Sequence, residues 1–194
     1  MQELTSDFWI NRYKEKTTGW DIGHISTPLK EYFDQLTNKD LKILIPGCGN
    51  AYEAEYLFKN GFKNIFVIDF SPIALENFKK RTPNFPDNQL ICDNFFKHNS
   101  KYDLIVEQTF FCAITPNLRT NYVKHIAQLL NENGKLVGLL FDDKLNDDKP
   151  PFGGNKEEYL NYFKSDFTIN KMEPAYNSIS PRMTKELFIN LSKK

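Results

Sequence analysis

The amino-acid sequence predicts an α/β fold in which helices cover both faces of a doubly wound, mostly parallel sheet. Short apolar runs rich in β-branched residues alternate along the chain with segments of helical periodicity, as in βαβ units. The first run, residues 43–45, is followed by a turn with two glycines, and the second, residues 65–69, ends in an aspartate. With 194 residues, the chain is long enough for one domain with a substantial core. We therefore treat residues 1–194 as a single domain.

Two helices are predicted before the first strand. Residues 6–16 have apolar side chains on one side and a possible cap in Ser6 or Asp7. A proline suits the first position of the second helix, which we place at residues 28–36. These helices belong to an N-terminal segment, residues 1–40, that precedes the sheet.

The N-terminal segment is also rich in aromatic residues. Trp9 belongs to the first predicted helix, and Trp20 belongs to the loop at residues 18–24. These side chains can pack onto the core, or they can form an aromatic lid over a flat or cationic ligand. The residues alone leave both interpretations open.

The turn after the first strand is the feature around which the other elements are arranged. Pro46 ends the strand, because it has no N–H to give to the ladder. Gly47 and Gly49 let the backbone turn sharply and approach a ligand closely. Residues 52–59 then predict a helix whose free N–H groups point back at the turn. A strand, a glycine turn and a helix in this order indicate a nucleotide-like ligand.

Asp69 strengthens this interpretation. It lies 20 residues after Gly49 at the end of the second strand, where a carboxylate can accept hydrogen bonds from a ribose. The dinucleotide fingerprint has a third glycine at the position of Tyr52, and its absence favours another adenosine ligand over NAD. S-adenosylmethionine is the leading candidate.

The remaining strands and helices follow from similar local signals. Ser71-Pro72 starts a helix, and Asn133-Gly134 stops the helix that Pro116 begins. The last two strands are expected to pair as an antiparallel hairpin at the sheet edge. The strands are predicted at residues 43–45, 65–69, 89–92, 102–108, 135–141, 167–172 and 186–191, and the later helices at residues 72–81, from 116 to the stop signal, and at 156–163.

Polar residues follow the apolar runs at four predicted strand ends. They are Gly47 to Gly49, Asp69, Asp93-Asn94 and Glu107-Gln108. Ligands of open α/β sheets bind outside the carboxyl ends of the strands, so all four would face one crevice. Asp69 suits the ribose hydroxyls and Asp93 the adenine amino group. Phe95 or Phe96 would stack nearby, and Glu107 would stand near the cationic sulfonium.

Composition argues against several other classes of protein. Lysine plus arginine and aspartate plus glutamate both number 25, so the formal net charge is zero and a broad nucleic-acid-binding face is not expected. No apolar run is long enough to span a bilayer. Cys48, Cys92 and Cys112 are too widely spaced for a disulfide framework or a zinc site, and the histidines lack ligand spacing. We expect a cytoplasmic protein that binds no metal.

A set of short motifs runs in one order through nearly the whole chain. They are Phe8-Trp9 with Arg12-Tyr13, residues 19–23 (GWDIG), 45–49 (IPGCG), 69–71 (DFS), 93–96 (DNFF), 102–105 (YDLI) and 109–113 (TFFCA), then Pro116 with Arg119, residues 150–152 (PPF) with Glu158-Tyr159, and Arg182 with Lys185-Glu186. The PGCG and TFFCA motifs are the specific ones. In these motifs the chain resembles the thiopurine S-methyltransferase and thiol/halide methyltransferase family, in particular its "harmless to ozone layer" branch.

The resemblance implies an S-adenosylmethionine-dependent methyltransferase with the Rossmann-like, seven-stranded class I methyltransferase fold. It implies a soft nucleophile as the methyl acceptor. In the family, Arg119 corresponds to an arginine near the substrate, and we predict it as the catalytic residue that holds or steers an anionic acceptor. Phe110 and Arg182 are further predicted substrate contacts. The predicted cofactor contacts are Trp9, Trp20, Gly47, Cys48, Gly49, Asp69, Phe70, Asp93, Asn94, Phe95, Glu107 and Gln108.

Two positions depart from the family pattern. The family often has Asp-Tyr where this chain has Glu107-Gln108, and its glycines usually precede the double proline, whereas Gly153-Gly154 follow it. Both departures lie near the substrate end, so the sequence leaves the acceptor open among thiols, hydrosulfide, thiopurines, halides and other nucleophiles.

Three hypotheses of different classes remain. The first is a small-molecule methyltransferase, in which proximity and a dry pocket promote an in-line displacement. The second is a non-catalytic domain that binds an adenosine ligand, and the third is an NAD-dependent oxidoreductase. We expect a small-molecule acceptor, no nucleic-acid or membrane partner, and a monomer.

Overall fold

The computed structural model describes residues 4–194, in which seven strands form one sheet. The strands are β1 (Ile43–Pro46), β2 (Ile65–Asp69), β3 (Leu90–Cys92), β4 (Tyr102–Gln108), β5 (Leu130–Phe141), β6 (Phe167–Pro174) and β7 (Glu186–Lys193). Their order across the sheet is β3-β2-β1-β4-β5-β7-β6. Strands β1 to β5 pair in parallel, whereas β7 is antiparallel to both β5 and β6. The predicted doubly wound sheet with an antiparallel edge pair is confirmed.

The described part of the chain contains six α-helices, five of which cover the sheet. The six helices are α1 (Ser6–Lys14), α2 (Thr27–Asp34), α3 (Tyr52–Lys59), α4 (Pro72–Arg81), α5 (Arg119–Leu129) and α6 (Lys156–Phe163). Side chains of α2, α3 and α4 pack with one face of the sheet, and side chains of α5 and α6 pack with the other. Among residues 4–194, no helix is both long and apolar enough to cross a membrane.

Strand β1 lies between the two cores. Its side chains alternate between the faces of the sheet, so Ile43 and Ile45 join the core with α2, α3 and α4, and Leu44 joins the core with α5 and α6. Because both faces are covered, the strand is apolar at every position. A central position in the sheet therefore explains the continuous apolar run before the glycine turn.

Helix α1 is capped one residue earlier than predicted. The cap is Thr5, whose hydroxyl oxygen accepts a hydrogen bond from the Phe8 N–H at 3.4 Å. Ser6 lies inside the helix, and its hydroxyl donates to the Phe70 carbonyl oxygen at 3.0 Å. The prediction of a cap at Ser6 or Asp7 is wrong because the Ser6 hydroxyl makes this long-range contact. The contact places α1 beside the end of β2.

The boundary between α5 and β5 also differs from the prediction. The sequence predicts a helix from residue 116 to a stop at residues 133–134. In the structure α5 ends at Leu129, and the buried Leu130 is extended and pairs with Tyr102 of β4. Burial of Leu130 in the sheet outweighs the local stop signal, which lies inside β5.

Gly138 supplies a test of how closely β4 and β5 pack. It pairs with Glu107, and a Cβ atom at this position would overlap the backbone and Cβ of Glu107. We expect Gly138→Ala to lower the free energy of unfolding by about 1–3 kcal/mol, since the two strands must separate to admit the methyl group. Urea unfolding measures the change. Gly19→Ala is the control, because a Cβ there meets nothing within 4 Å. Equal stability of the two variants would contradict the close packing.

Candidate active site

The carboxyl ends of β1, β2 and β4 open into a cavity of about 840 Å³, where ligands of open α/β sheets bind. Residues between 4 and 20 cover this cavity from the other side. Most of the predicted site residues line it, namely Trp9, Trp20, Gly47, Gly49, Asp69, Phe70, Asp93, Asn94, Phe95, Phe110 and Arg182. The structure therefore brings together residues that are far apart in the sequence, from Trp9 to Arg182.

The glycine turn after β1 leaves no room for side chains. Gly47 and Gly49 have φ angles of +55° and +53°, which L-residues with side chains rarely adopt. A Cβ on Gly47 would overlap the Phe110 ring, and a Cβ on Gly49 would lie 3.0 Å from the Tyr13 hydroxyl. The turn thus needs glycine both for its backbone angles and for the neighbours that close over it.

The Asp69 carboxylate holds this turn in place. One of its oxygens accepts from the Gly49 N–H at 2.8 Å, and the other accepts from the Ser71 N–H at 2.8 Å. Burial raises the pKa of Asp69 above its usual value, and these backbone hydrogen bonds act in the opposite direction. A carboxylate has about four lone-pair sites, so acceptor capacity remains toward the cavity.

Aromatic side chains of the N-terminal segment form the cover of the cavity. The rings of Trp9 and Trp20 meet edge to face at 5.5 Å, and those of Tyr13 and Trp20 at 5.8 Å. All three side chains are half-buried and line the cavity. They pack on one another and face the space where a ligand would lie, so the two interpretations of these residues do not exclude each other.

Arg182 joins the end of the chain to this cover. Its guanidinium donates to the Trp20 carbonyl oxygen at 2.7 Å and pairs with the Glu186 carboxylate at 3.3 Å. Glu186 in turn accepts from the Ser178 hydroxyl at 2.7 Å. Arg182 also lines the cavity, so it is a buried cation held at the cavity wall.

The segment after β3 supplies another wall. Asn94 caps a short turn, because its side-chain oxygen accepts from the Phe96 N–H at 2.8 Å. Asp93 is exposed at the rim, whereas Phe95 is buried and meets the Phe110 ring at 5.2 Å. Phe95 thereby connects this wall with the turn after β4.

Glu107 does not reach the cavity, although the sequence predicts a cofactor contact. Side chains alternate along β4, so Glu107 points to the same face as Ile105 and meets Tyr122 of α5. It is fully buried and accepts from the N–H groups of Phe110 at 2.8 Å and Phe111 at 2.9 Å. Burial raises the pKa of Glu107 to about 7.

Arg119, the predicted catalytic residue, is also turned away from the main cavity. Its guanidinium donates to Glu158 at 2.9 Å and to the carbonyl oxygens of Phe152 at 3.3 Å and Gly153 at 2.8 Å. It also stacks on the Phe111 ring at 4.7 Å. With 1% of its surface exposed, it clamps the loop between β5 and α6. The geometry does not support contact between Arg119 and an acceptor in the main cavity.

Two further predicted contacts lie outside the cavity. Cys48 packs against the core with α2, α3 and α4, and burial raises the pKa of its thiol well above the usual value. Gln108 pairs with Leu139 in the sheet and does not line the cavity. Residues next to Cys48 and Gln108 in the sequence line the cavity, but the side chains of Cys48 and Gln108 point elsewhere.

Several cavity residues were not among the predicted site residues. Arg12 lies over the Trp20 ring at 5.9 Å, and Lys185 pairs with Asp143 at 3.4 Å. The sequence could have indicated Arg12, because residues three positions apart on a helix share a face and Arg12 follows Trp9 by three. Thr109 lines the cavity with a φ of +57°, which no local pattern predicts. Within the described chain, no group of three or more His, Cys, Asp or Glu side chains could hold a metal ion.

Comparisons with known proteins agree with this fold. Residues 4–190 match the model of the family described as Thiopurine S-methyltransferase (TPMT). The probable thiol methyltransferase 2 of Arabidopsis thaliana is 26% identical over 164 residues, which cover 82% of this chain and 72% of that protein. The thiopurine S-methyltransferase of Photobacterium profundum is 22% identical over 179 residues, which cover 82% of this chain and 83% of that protein.

The fold is also similar to that of solved methyltransferases. The magnesium protoporphyrin IX methyltransferase from Synechocystis PCC 6803, solved with bound S-adenosylmethionine, superposes with a TM-score of 0.75 at 11% identity. The superposition covers 100% of this chain and 99% of that chain. The sheet order, the glycine turn and the extent of the family match lead to one conclusion: this chain belongs to the thiopurine S-methyltransferase family.

Proposed function

We propose that this protein transfers a methyl group from S-adenosylmethionine to a small, soft nucleophile such as a thiol, hydrosulfide, a thiopurine or a halide. One observation carries the proposal. The glycine turn and the Asp69 carboxylate form one wall of a cavity whose other walls are largely apolar. Family membership and the thiol and thiopurine acceptors in the relatives' names support the soft nucleophile.

The residues present fit the cofactor. Gly47 and Gly49 give a backbone cradle without side chains, and Asp69 offers carboxylate acceptors to ribose hydroxyls. Asn94 and Phe95 form the wall that suits an adenine ring, while Trp9 and Trp20 cover the cavity. When bound, the cofactor supplies an electrophilic methyl group on a sulfonium. The protein's own contribution is to position the reactants and to exclude water from them.

The other end of the cavity suits an anionic acceptor. Its wall is formed by apolar side chains of the turn after β4 and of the loop between β5 and α6, namely Phe110, Ala113, Ile114, Leu145, Pro150 and Pro151. Arg12, Arg182 and Lys185 are the cations that line the same space. A thiolate or halide needs no general base, and a cation beside a dry wall favours its entry as an anion. We propose Arg182 and Phe110 as the acceptor contacts.

The two other hypotheses receive less support. In the position of the third glycine of a dinucleotide fingerprint, α3 begins with Tyr52, which argues against NAD. A non-catalytic domain that binds only an adenosine ligand would need no further apolar space for an acceptor, and the cavity has such a space. We also propose a single-domain cytoplasmic monomer without a nucleic-acid partner, on the equal numbers of positive and negative side chains and three widely spaced cysteines.

Calorimetric titration with S-adenosylhomocysteine tests the proposal, with NAD as the control ligand. We expect binding of the first and not of the second. The formation of S-adenosylhomocysteine from S-adenosylmethionine is then measured with iodide, hydrosulfide and thiopurine as acceptors. Binding without turnover on any acceptor would favour the non-catalytic hypothesis, and binding of NAD alone would overturn the methyltransferase.

Asp69→Asn should weaken S-adenosylhomocysteine binding about 10- to 100-fold, because it removes a charged acceptor from the ribose position. Asp87→Asn is the matched control, since the Asp87 side chain is 86% exposed and pairs with Lys79 outside the cavity. Calorimetry gives the affinities, and a thermal melt shows whether each variant is folded. A folded Asp69→Asn protein with unchanged affinity would remove Asp69 from the proposed ribose site.

Arg119→Ala should lower the free energy of unfolding by about 2 kcal/mol, because two carbonyl oxygens lose a charged donor. Its affinity for S-adenosylhomocysteine should be unchanged, since Arg119 does not line the cavity. Urea unfolding and calorimetry test the two statements, with Lys124→Ala as the control at an exposed position of α5. Normal stability combined with lost turnover would restore the catalytic role that the sequence predicts.

A further inference from the structure

Glu107 is a buried carboxylate, and among residues 4–194 no positively charged side chain pairs with it. Its neighbours are two backbone N–H groups and the Tyr122 hydroxyl, which donates to it at 2.5 Å. Burying a carboxylate costs free energy unless its oxygens are well hydrogen-bonded. Here each oxygen has a donor, and all three donors belong to the turn after β4 or to the helix behind it.

The carboxylate thereby fixes the turn at residues 109–113. Thr109 at its start has a φ of +57°, a backbone conformation that costs free energy for a residue with a side chain. The Phe110 and Phe111 N–H groups follow directly and converge on one oxygen of Glu107. The hydrogen bonds therefore compensate for the strained residue and set the direction in which Phe110 leaves the turn.

Phe110 belongs to this turn and contacts the cofactor end of the cavity, and the residues after it reach the acceptor end. Its ring occupies the space that a side chain on Gly47 would fill, and it meets Phe95 at 5.2 Å. The residues that follow it, Cys112 and Ala113, line the acceptor end. A change in this turn would move the cofactor wall and the acceptor wall together.

An ionised glutamate suits the three donors better than its amide analogue. Both carboxylate oxygens accept, so the two N–H groups and the Tyr122 hydroxyl are satisfied at once. A glutamine has one acceptor oxygen, and its NH₂ group would face the Tyr122 hydroxyl, which would have to reverse its role. Protonated Glu107 likewise carries a donor, its O–H group, where the Tyr122 hydroxyl needs an acceptor.

We propose that Glu107 is a positioning residue for methyl transfer, whose ionised carboxylate holds Phe110 against the glycine turn and so fixes the wall shared by cofactor and acceptor. This inference rests on the proposed function, since it assigns Glu107 to that same site. It replaces the direct cofactor contact that the sequence predicts for this residue.

Ionisation of Glu107 should make ligand binding depend on pH. The groups that face Glu107 are Tyr122 on α5 and Cys112 in the turn, and both have a raised pKa, so neither ionises near neutrality. Burial raises the pKa of Glu107 itself to about 7. The positive charges of Arg182 and Arg119 lower the pKa of the Cys112 thiol, against the larger effect of burial. Their guanidinium groups hydrogen-bond to other partners and do not contact Glu107. Ionisation of Glu107 should therefore assemble the turn as the pH rises through neutrality.

Affinity and stability should respond to this titration in opposite directions. A carboxyl whose folded pKa is raised above its unfolded value binds more protons in the folded state, so its contribution to stability is lost as the pH rises toward 7. Ligand affinity should rise over the same range, because the ionised form is the one that positions Phe110. A merely structural role would give no such opposition.

The experiment compares the wild type with Glu107→Gln, and Glu157→Gln serves as the control at an exposed position of α6. Calorimetry with S-adenosylhomocysteine is performed at pH 6, 7 and 8. Methyl transfer to iodide, which does not titrate in this range, gives kcat and KM. We expect the wild-type affinity to increase about tenfold from pH 6 to pH 8, since about a tenth of the carboxyl is ionised one unit below its pKa.

The affinity of Glu107→Gln should be independent of pH and roughly 100-fold below that of the wild type at pH 8, because the tenfold change in the wild type requires that the uncharged form contributes almost no binding. Urea unfolding should show that Glu107→Gln gains stability relative to the wild type as the pH rises from 5 to 7. Glu107→Asp, which keeps the charge, should recover part of the pH dependence. The control should follow the wild type in every measurement.

Tyr122→Phe keeps the test decisive if Glu107→Gln does not fold. The Tyr122 hydroxyl stabilises the ionised form of Glu107, so its removal should shift the midpoint of the pH dependence upward. If the affinity of either variant depended on pH as that of the wild type does, this inference would be overturned. The proposed methyltransferase function would not be affected. A wild type that binds no S-adenosylhomocysteine at any pH would overturn both.

Discussion

The arrangement of the site depends on the contact between the Phe110 ring and the backbone of Gly47. Because Gly47 has no side chain, the turn after β4 can close over the turn after β1, and the two strand ends form one continuous wall. The cavity, the cradle for a nucleotide-like ligand and the acceptor end are all defined relative to this contact. A Cβ at position 47 would overlap the Phe110 side chain, so a residue with a side chain there would displace Phe110 from this wall.

The carboxylates of Asp69, at the end of β2, and Glu107, near the end of β4, illustrate how the same functional group can take different roles. Asp69 accepts from the Gly49 N–H in the turn after β1 and from the Ser71 N–H after its own strand, whereas Glu107 accepts from two N–H groups in the turn after its own strand. Asp69 also faces the cavity and can offer its remaining lone pairs to a ligand, whereas Glu107 faces α5 and is enclosed. The alternation of side chains along a strand sets this difference, since it places Glu107 on the face that Tyr122 covers.

The sequence predicts much of the fold because the signals that start and stop its elements are local. The bounds of α3, β2, α4, β4 and α6 are those expected from periodicity, proline and glycine. The end of α5 and the contacts of Arg119 could not be predicted in this way. Leu130 joins the sheet because Tyr102 lies beside it, and Arg119 turns toward Glu158 and the carbonyl oxygens of a loop that is more than 30 residues further along the chain. Both outcomes depend on tertiary contacts that a single segment does not encode.

The acceptor end of the cavity is harder to predict from the sequence than the cofactor end, because it too depends on tertiary contacts. The cofactor end is built largely from consecutive residues around β1 and β2, so a short motif reports on it directly. The acceptor end combines α1, the turn after β4, the loop after β5 and the segment before β7. Arg182 connects the last of these to the Trp20 carbonyl oxygen across 162 positions in the sequence. Acceptor specificity is therefore a property of how these four segments meet, and Glu107 and Arg182 are the buried charges that fix where two of them lie.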